Sequence, residues 1–258
     1  MSSIAGPDPP VTVFIKSWNR PSYLWACLDS FYRHTRHGAR FVLIDNCSDD
    51  PQVRQIVEGF QHRGMLSAVH FMDVNELTNQ DAIYDIYKDS IGPYLVLVDG
   101  DVAVEPSDPC WLEQMVRIAD ERPRLAMLGS YVCKDDFVDM DLAVQRFPGV
   151  KKKRLRFLIK AESQERRLPD TDEEIIRPFN PPGRFTLLRT DAIRELGLRS
   201  GGFRFYTAAV NAGWDAGIAV RVRHRHLSLL NLFDYPEYDD LQRNAYFGAP
   251  TPRTPRPG

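Results

Sequence analysis

The chain predicts an α/β protein on a mostly parallel sheet, and three observations carry that expectation. Short β-branched runs alternate with amphipathic stretches through the first half of the 258 residues, the pattern of strands joined by crossover helices. The run Tyr94-Leu-Val-Leu-Val98 is apolar at every position, as in strands covered on both faces. The composition, 43% hydrophobic and 26% charged, is that of an ordered globular chain.

The elements follow in order. Val11–Ile15 reads as the first strand, bounded by prolines before it and by Ser17-Trp-Asn-Arg-Pro21 after it. Asn19 stands where a helix cap is wanted, and Pro21 suits a first turn, whose N–H has no partner anyway. Leu24, Cys27, Leu28 and Phe31 then recur at helical spacing. Phe41–Ile44 is the second strand, ending at Asp45-Asn-Cys-Ser-Asp-Asp50, and residues 51–62 form a helix with Val53, Ile56, Val57 and Phe60 inward. Ala68–Met72 is the third strand. Residues 80–90 make a third helix, with Tyr84 and Tyr87 packed beside Ile83 and Ile86. After Tyr94–Val98, a helix is expected over 109–121 and a strand over Leu125–Leu128. From Ser130 to Pro182 the periodicity fades. It resumes with a strand at Arg184–Leu188, a helix at 190–196 capped by Thr190, and a last strand at Ile218–Val222. Residues 1–10 read as a disordered N-terminus and 241–258 as a C-terminal tail of a single domain, low in complexity and unfolded from Gly248.

Composition excludes several classes. A formal charge of -2 announces no nucleic-acid binder. No apolar stretch is long enough to cross a bilayer, and no signal peptide is visible, so a cytoplasmic protein is expected. The four cysteines, Cys27, Cys47, Cys110 and Cys133, form no CxxC pair, which argues against a zinc site or a disulfide scaffold.

In an open parallel sheet ligands bind beyond the carboxyl ends of the strands, where strand order reverses. Here those ends deliver Ser17-Trp-Asn-Arg20, Asp45, Asp73 with Asn75, and Asp99-Gly-Asp101. Converging carboxylates repel unless donors or a cation hold them, and an oxygen-rich cluster suits a divalent metal. Neither GxxxxGK[ST] nor GxGxxG occurs, so a diphosphate would need a metal rather than a glycine-rich cradle. Asp99 and Asp101, two apart on an extended segment, point the same way, and Gly100 between them allows a turn or a close approach.

Val11-Thr-Val-Phe-Ile-Lys-Ser-Trp-Asn-Arg-Pro, Phe41-Val-Leu-Ile-Asp-Asn-Cys-Ser-Asp-Asp and Tyr94-Leu-Val-Leu-Val-Asp-Gly-Asp-Val resemble, in order and spacing, the successive signatures of family 2-like glycosyltransferases with a GT-A fold. The resemblance covers residues 11–128 well and 183–226 more faintly. It implies a nucleotide-sugar-binding half over 11–128 and an acceptor half over 129–240. It further implies transfer of a sugar from a UDP- or GDP-linked donor to a hydroxyl acceptor, anionic if the basic stretch binds it, with Mn2+ or Mg2+ as cofactor. Asp45 would contact the base, Asp99 the ribose and Asp101 the metal, with Ser17, Asn19, Arg20 and Gly100 in the nucleotide pocket. His226, favoured over His224, would be a second metal ligand, and Arg184 and Trp214 would lie on the acceptor side. The family's acidic residue on the helix after the acceptor segment is missing, for no carboxylate stands between Glu195 and Asp215. Asp215 and the acidic stretch Asp135, Asp136, Asp139 and Asp141 are the substitutes, unless the enzyme retains configuration or is an inactive, sugar-binding relative. A nucleotidyltransferase is the rival enzyme; Lys16 and Arg20 suit it, but its glycines are absent.

Over residues 150–167 eight Lys and Arg face two Glu, a basic stretch that is a solvated face, a loop closing over the site or a contact for an anionic partner. Trp18, Trp25, Trp111 and Trp214 read first as packing residues. Trp214, by position, has the best claim to an acceptor. The segment Asp234–Asp240 reads as a surface loop.

Overall fold

The computed structural model describes residues 11–76, 78–159, 161–162, 165–177, 183–199 and 201–227. Met1–Pro10, Pro182 at the head of the acceptor segment, the Asp234–Asp240 segment and the C-terminal tail lie outside the described residues.

The first half is a repeated strand–helix unit: β1 (Val11–Ser17), α1 (Pro21–His34), β2 (Arg40–Asp45), α2 (Pro51–His62), β3 (Leu66–Phe71), α3 (Asn79–Tyr87) and β4 (Tyr94–Asp99). Then come β5 (Val102–Val104), α4 (Trp111–Asp120) and β6 (Leu125–Val132). The stretch of faded periodicity holds a 3-10 turn (Lys134–Asp136), two short helices, α5 (Met140–Arg146) and α6 (Lys152–Leu158), a second 3-10 turn (Glu165–Arg167) and the two-residue β7 (Ile175–Ile176). The chain closes with β8 (Phe185–Arg189), α7 (Thr190–Leu196), α8 (Phe203–Asn211) and β9 (Asp215–His226).

The described strands form one nine-stranded sheet in the order β3-β2-β1-β4-β8-β6-β9-β5, with β7 pairing β9 off this path. From β3 to β4 all pairings are parallel. β8 enters antiparallel to both β4 and β6, and β9 then runs parallel to β6. β1, flanked by β2 and β4, is therefore where the winding changes direction, and the crevice there opens at Ser17 and Asp99. β6 runs through residue 128, so the two expected halves share one continuous sheet.

Strand alternation divides the core between two faces. Val13 and Ile15 pack with Leu24, Leu28, Val57 and Trp111 under α1, α2 and α4. Phe14 faces the other way, with Ile83, Ile193 and Phe205 of α3, α7 and α8. Phe31, Trp111 and Phe185 meet edge to face, with ring centroids 5.0 to 5.3 Å apart.

Several sequence expectations are corrected. Asn19 does not cap α1: the cap is Arg20, itself left-handed at φ 56°, and no side chain caps that end. Thr190 does not cap α7 either, because its hydroxyl donates to the Gly92 carbonyl. Ile86 is exposed, leaving Ile83 and Tyr84 as the buried residues on that face of α3. β6 and β9 extend well beyond their expected spans, and β5 was not foreseen.

Gly217 is set by packing. A Cβ there would stand 2.5 Å from Cγ2 of Ile175, inside the β7–β9 pair. Gly217→Ala should cost about 1–3 kcal/mol in urea denaturation, as overpacking does, and Ile175→Ala should recover part of it in the double variant. Additive losses would show that the contact is not the cause.

Candidate functional site

The loops beyond β1, β2 and β3 are stitched together by side chains. Asp45, buried at the end of β2, accepts hydrogen bonds from Ser17 Oγ (3.1 Å), Ser48 Oγ (2.5 Å) and the Ser48 N–H (2.9 Å). Asn19 donates its N–H to Ser48 Oγ (2.7 Å), and its side-chain oxygen accepts from the N–H groups of Asp49 and Asp50 at 3.0 and 3.2 Å. Its role is thus to bind the β1 loop to the β2 loop. Asn46, which sequence reading passed over, donates to Asn75 and to the Glu76 carbonyl and accepts from Asn79. Asn19, Arg20 and Cys47 all hold positive φ (52°, 56° and 66°), a conformation that non-glycine residues keep only where surroundings demand it.

This frame presents Trp18, which is 56% exposed. The expectation that it packs inside is wrong: β1 ends at Ser17, and the residue after it projects into solvent between two immobilised neighbours. Trp111 is buried as expected, and Trp25 is largely exposed on α1.

Asp99 and Asp101 sit across the crevice. Gly100 joins them at the closest approach of β4 to β1: its N–H donates to the Lys16 carbonyl at 2.8 Å, and a Cβ would lie 3.0 Å from that same oxygen. The close approach needed here is to the neighbouring strand. Lys16 Nζ lies 3.8 Å from Asp99 Oδ1. Partial burial first, and then the charge of Asp101, push the Asp99 carboxyl above the usual range. Asp101 goes the other way. Burial opposes its ionisation, but His226, followed by Arg20 and Arg184, outweighs that and holds its pKa well below the usual range. Its Oδ2 lies 3.4 Å from His226 Nε2 and 3.5 Å from Arg20 Nη1. Its Oδ1 is buried without a hydrogen-bond partner among the described residues.

His226 arrives from the far end of β9, its ring 2% exposed. A buried carboxylate fixes it: Asp136 Oδ2 accepts from the His226 N–H at 2.8 Å, and Oδ1 accepts from Nε and Nη2 of Arg225 at 3.0 and 2.7 Å. Burial raises the Asp136 carboxyl, with Arg225 the chief opposing influence. His224 is turned elsewhere, its Nδ1 2.8 Å from Ser130 Oγ. Burial first, then the charges of His226 and Arg184, lower its pKa to about 3, so the ring stays neutral. Arg184, expected toward the acceptor, stands beside the carboxylates: its carbonyl accepts from the Asp99 N–H at 2.7 Å, and its charge favours ionisation of both aspartates.

Two expected residues are not brought here. Asp215 and Trp214 stand at the start of β9, where Asp215 lies opposite Leu125 at the other edge of the sheet. β9 has twelve residues from Asp215 to His226, and at about 3.3 Å of rise per residue its length separates the two ends. The assignments of Asp215 as catalytic base and Trp214 as acceptor residue are therefore corrected. Trp214 is buried, donates to Glu195 at 3.2 Å and stacks under Arg124. Nor does the acidic stretch supply an open carboxylate from Asp136, whose two oxygens are both committed, while Asp139 caps α5.

No group of three His, Cys, Asp or Glu residues able to hold a metal is found among the described residues. Asp101 and His226 are a two-residue set, and the orphaned Asp101 oxygen fits a cation as its missing partner.

A comparison with functionally curated proteins gives no match. Among solved structures, the mannosyltransferase PcManGT from Pyrobaculum calidifontis, in complex with GDP-Man and Mn2+, aligns with a TM-score of 0.57 at 14% identity, over 88% of this chain and 60% of that one. GalNAc-T7 with UDP, GalNAc and Mn2+ aligns at 0.58 and 15%, over 94% and 52%. TarS 1-349 from S. aureus in complex with UDP-GlcNAc aligns at 0.54 and 16%, over 94% and 68%. The chain thus spans about half to two thirds of the length of these proteins, and at such identities the likeness is one of fold. The model of glycosyl transferase family 2 matches residues 12–196. With most of its length so matched, through the strand ends that carry Ser17, Asp45 and Asp99-Gly-Asp101, the chain belongs to glycosyl transferase family 2.

Proposed function

We propose that this chain is a metal-dependent glycosyltransferase moving a sugar from a nucleotide sugar, UDP- or GDP-linked, to a hydroxyl acceptor. The observation that carries the reading is Asp101: one oxygen faces His226 and Arg20, and the other is buried with no hydrogen-bond partner among the described residues. Asp101 and His226 would hold Mn2+ or Mg2+. Bound there, the cation would neutralise the donor diphosphate and act as a Lewis acid on the leaving group. Relatives solved with GDP-Man, UDP or UDP-GlcNAc support the donor class.

The chain's own side chains divide the remaining work. Asp99, the more exposed carboxylate, is suited to accept from ribose hydroxyls. Lys16, Arg20 and Arg184 surround the aspartates with positive charge, which favours an anionic diphosphate in the same crevice. Trp18 offers a flat exposed surface for the base, held in place by Ser17 and Asn19. As folded, Asp45 meets the pocket through Ser17 and Ser48, whose hydroxyls it orients. A second reading, a nucleotide-sugar-binding protein without transfer, is favoured by one observation: α8 carries no carboxylate. Slow donor hydrolysis without acceptor distinguishes the two, since an inert site shows none.

Calorimetric titration of UDP, GDP, CDP and dTDP, each with and without Mn2+, tests the donor site. One nucleotide should bind in the micromolar range only with metal, and Asp101→Ala should remove that dependence with the fold intact. Metal-dependent binding that survives in this variant would place the cation elsewhere. Trp18→Ala should weaken the preferred nucleotide by roughly 10- to 100-fold, the worth of one base–aromatic stack, and Trp18→Tyr should restore most of it. Unchanged affinity in the alanine variant would remove the indole from the base site. Asp136→Ala leaves the His226 N–H and Arg225 without their acceptor, so stability to urea should fall by about 2 kcal/mol. The Mn2+-dependent part of nucleotide affinity should also fall by about tenfold. Loss of stability alone would make Asp136 purely structural.

A further inference from the structure

The segment between β6 and β8 carries a surface that the donor site does not use. α6 buries Leu155, and Ile159 just beyond it packs with Val138 and Ala143 of the α5 region. The side chains of Lys151, Lys152, Lys153, Arg154, Arg156 and Phe157 are all exposed. The ammonium groups of Lys151, Lys152 and Lys153 pair with no carboxylate among the described residues, whereas Arg156 meets Glu162 at 3.5 Å. Five cations within six successive positions repel one another, and an anionic surface relieves that repulsion. Apolar side chains stand among them: Phe157 is 65% exposed, with the Arg154 guanidinium 5.9 Å from its ring centroid, and Leu142 on neighbouring α5 is 49% exposed.

We propose that the exposed side of α6, Lys151 to Phe157, docks on an anionic lipid bilayer, the cations meeting headgroups and Phe157 entering the interface. Charge alone would suit any polyanion. The exposed Phe157 and Leu142 favour a bilayer, because an aromatic ring or a leucine gains by burial at the headgroup–acyl boundary. No described helix is long and apolar enough to cross a membrane, and α6, with seven residues, lies on the surface. The docking is independent of the donor site. The insertion that carries α6 is nevertheless anchored to that site's edge through Asp136, so a docked chain holds the crevice on the membrane-bound molecule.

Co-sedimentation of the full chain with vesicles of phosphatidylcholine, and of phosphatidylcholine with phosphatidylglycerol, tests this at low and raised salt. The expected result is binding to the anionic vesicles only, weakening as salt rises. A triple variant, Lys151→Gln with Lys152→Gln and Lys153→Gln, should lower the partition coefficient by about a hundredfold. Phe157→Ser should lower it about tenfold and do so at raised salt as well. These variants alter exposed side chains, and circular dichroism with nucleotide titration verifies that fold and donor site are retained. No binding to phosphatidylglycerol vesicles overturns the proposal, and so does binding that the triple variant leaves unchanged. Binding of a single-stranded oligonucleotide that the triple variant abolishes, with vesicles ignored by both proteins, assigns the surface to a nucleic acid instead.

Discussion

Two carboxylates on neighbouring turns of one strand end repel each other, and much of this structure is the answer to that repulsion. Asp99 and Asp101 are kept at the lip of the crevice by groups from separate parts of the chain: the cations Lys16 in β1, Arg20 after it and Arg184 before β8, and the His226 ring at the end of β9. Only a sheet that places β1, β4 and β8 side by side, and folds β9 back beside β6, brings these residues to one edge. The outcome is asymmetric. Asp101 gains His226 and Arg20 directly and is held strongly ionised, whereas Asp99 keeps a raised pKa and greater exposure. Two chemically identical side chains thereby acquire different properties, one held ionised and the other more readily protonated.

The loops beyond β1, β2 and β3 depend on a different device. Left-handed backbone at Asn19, Arg20 and Cys47 costs energy at each position, and the hydrogen bonds that Asn19, Asp45, Asn46 and Ser48 make across the loops offset it. The consequence is rigidity where the chain would otherwise be three independent loops. That rigidity fixes the backbone from which the exposed Trp18 projects.

The strands of the first half and the helices between them were legible because their signals are local: apolar runs for β1 to β4, helical spacing for α1 and α2. The Asp99-Gly-Asp101 edge was legible for the same reason. β9 was read only over Ile218–Val222 because its outer half, Arg221-Val-Arg-His-Arg-His226, alternates charged with buried residues and looks like surface. The three-residue β5 exists only through its pairing with β9. Asp136 reads in the local sequence only as one member of an acidic stretch; its meaning comes from Arg225 and His226, about 90 residues away. The cap assigned to Asn19 failed because its side chain reaches across the crevice for Asp49 and Asp50. Asp215 failed because a longer β9 carries it to the opposite edge of the sheet.

That last correction bears on how an acceptor hydroxyl would lose its proton. α8, on which the resemblance would place the family's acidic residue and where the sequence lacks one, presents Phe203, Arg204 and Phe205 at its start. Several carboxylates that reach this edge are engaged: Asp45 by serines, Asp101 by His226 and Arg20, Asp136 by Arg225 and a backbone N–H, and Glu105 by Arg223 and Cys133. A general base must be accessible to the proton it takes, and Asp45 and Asp136 are buried beneath their donors. Asp99 is more exposed than these, and burial followed by the charge of Asp101 raises its pKa, with Lys16 Nζ 3.8 Å from its Oδ1. α8 therefore offers no carboxylate to take a proton from an acceptor, and the carboxylates gathered at the strand ends are those of the donor site proposed above.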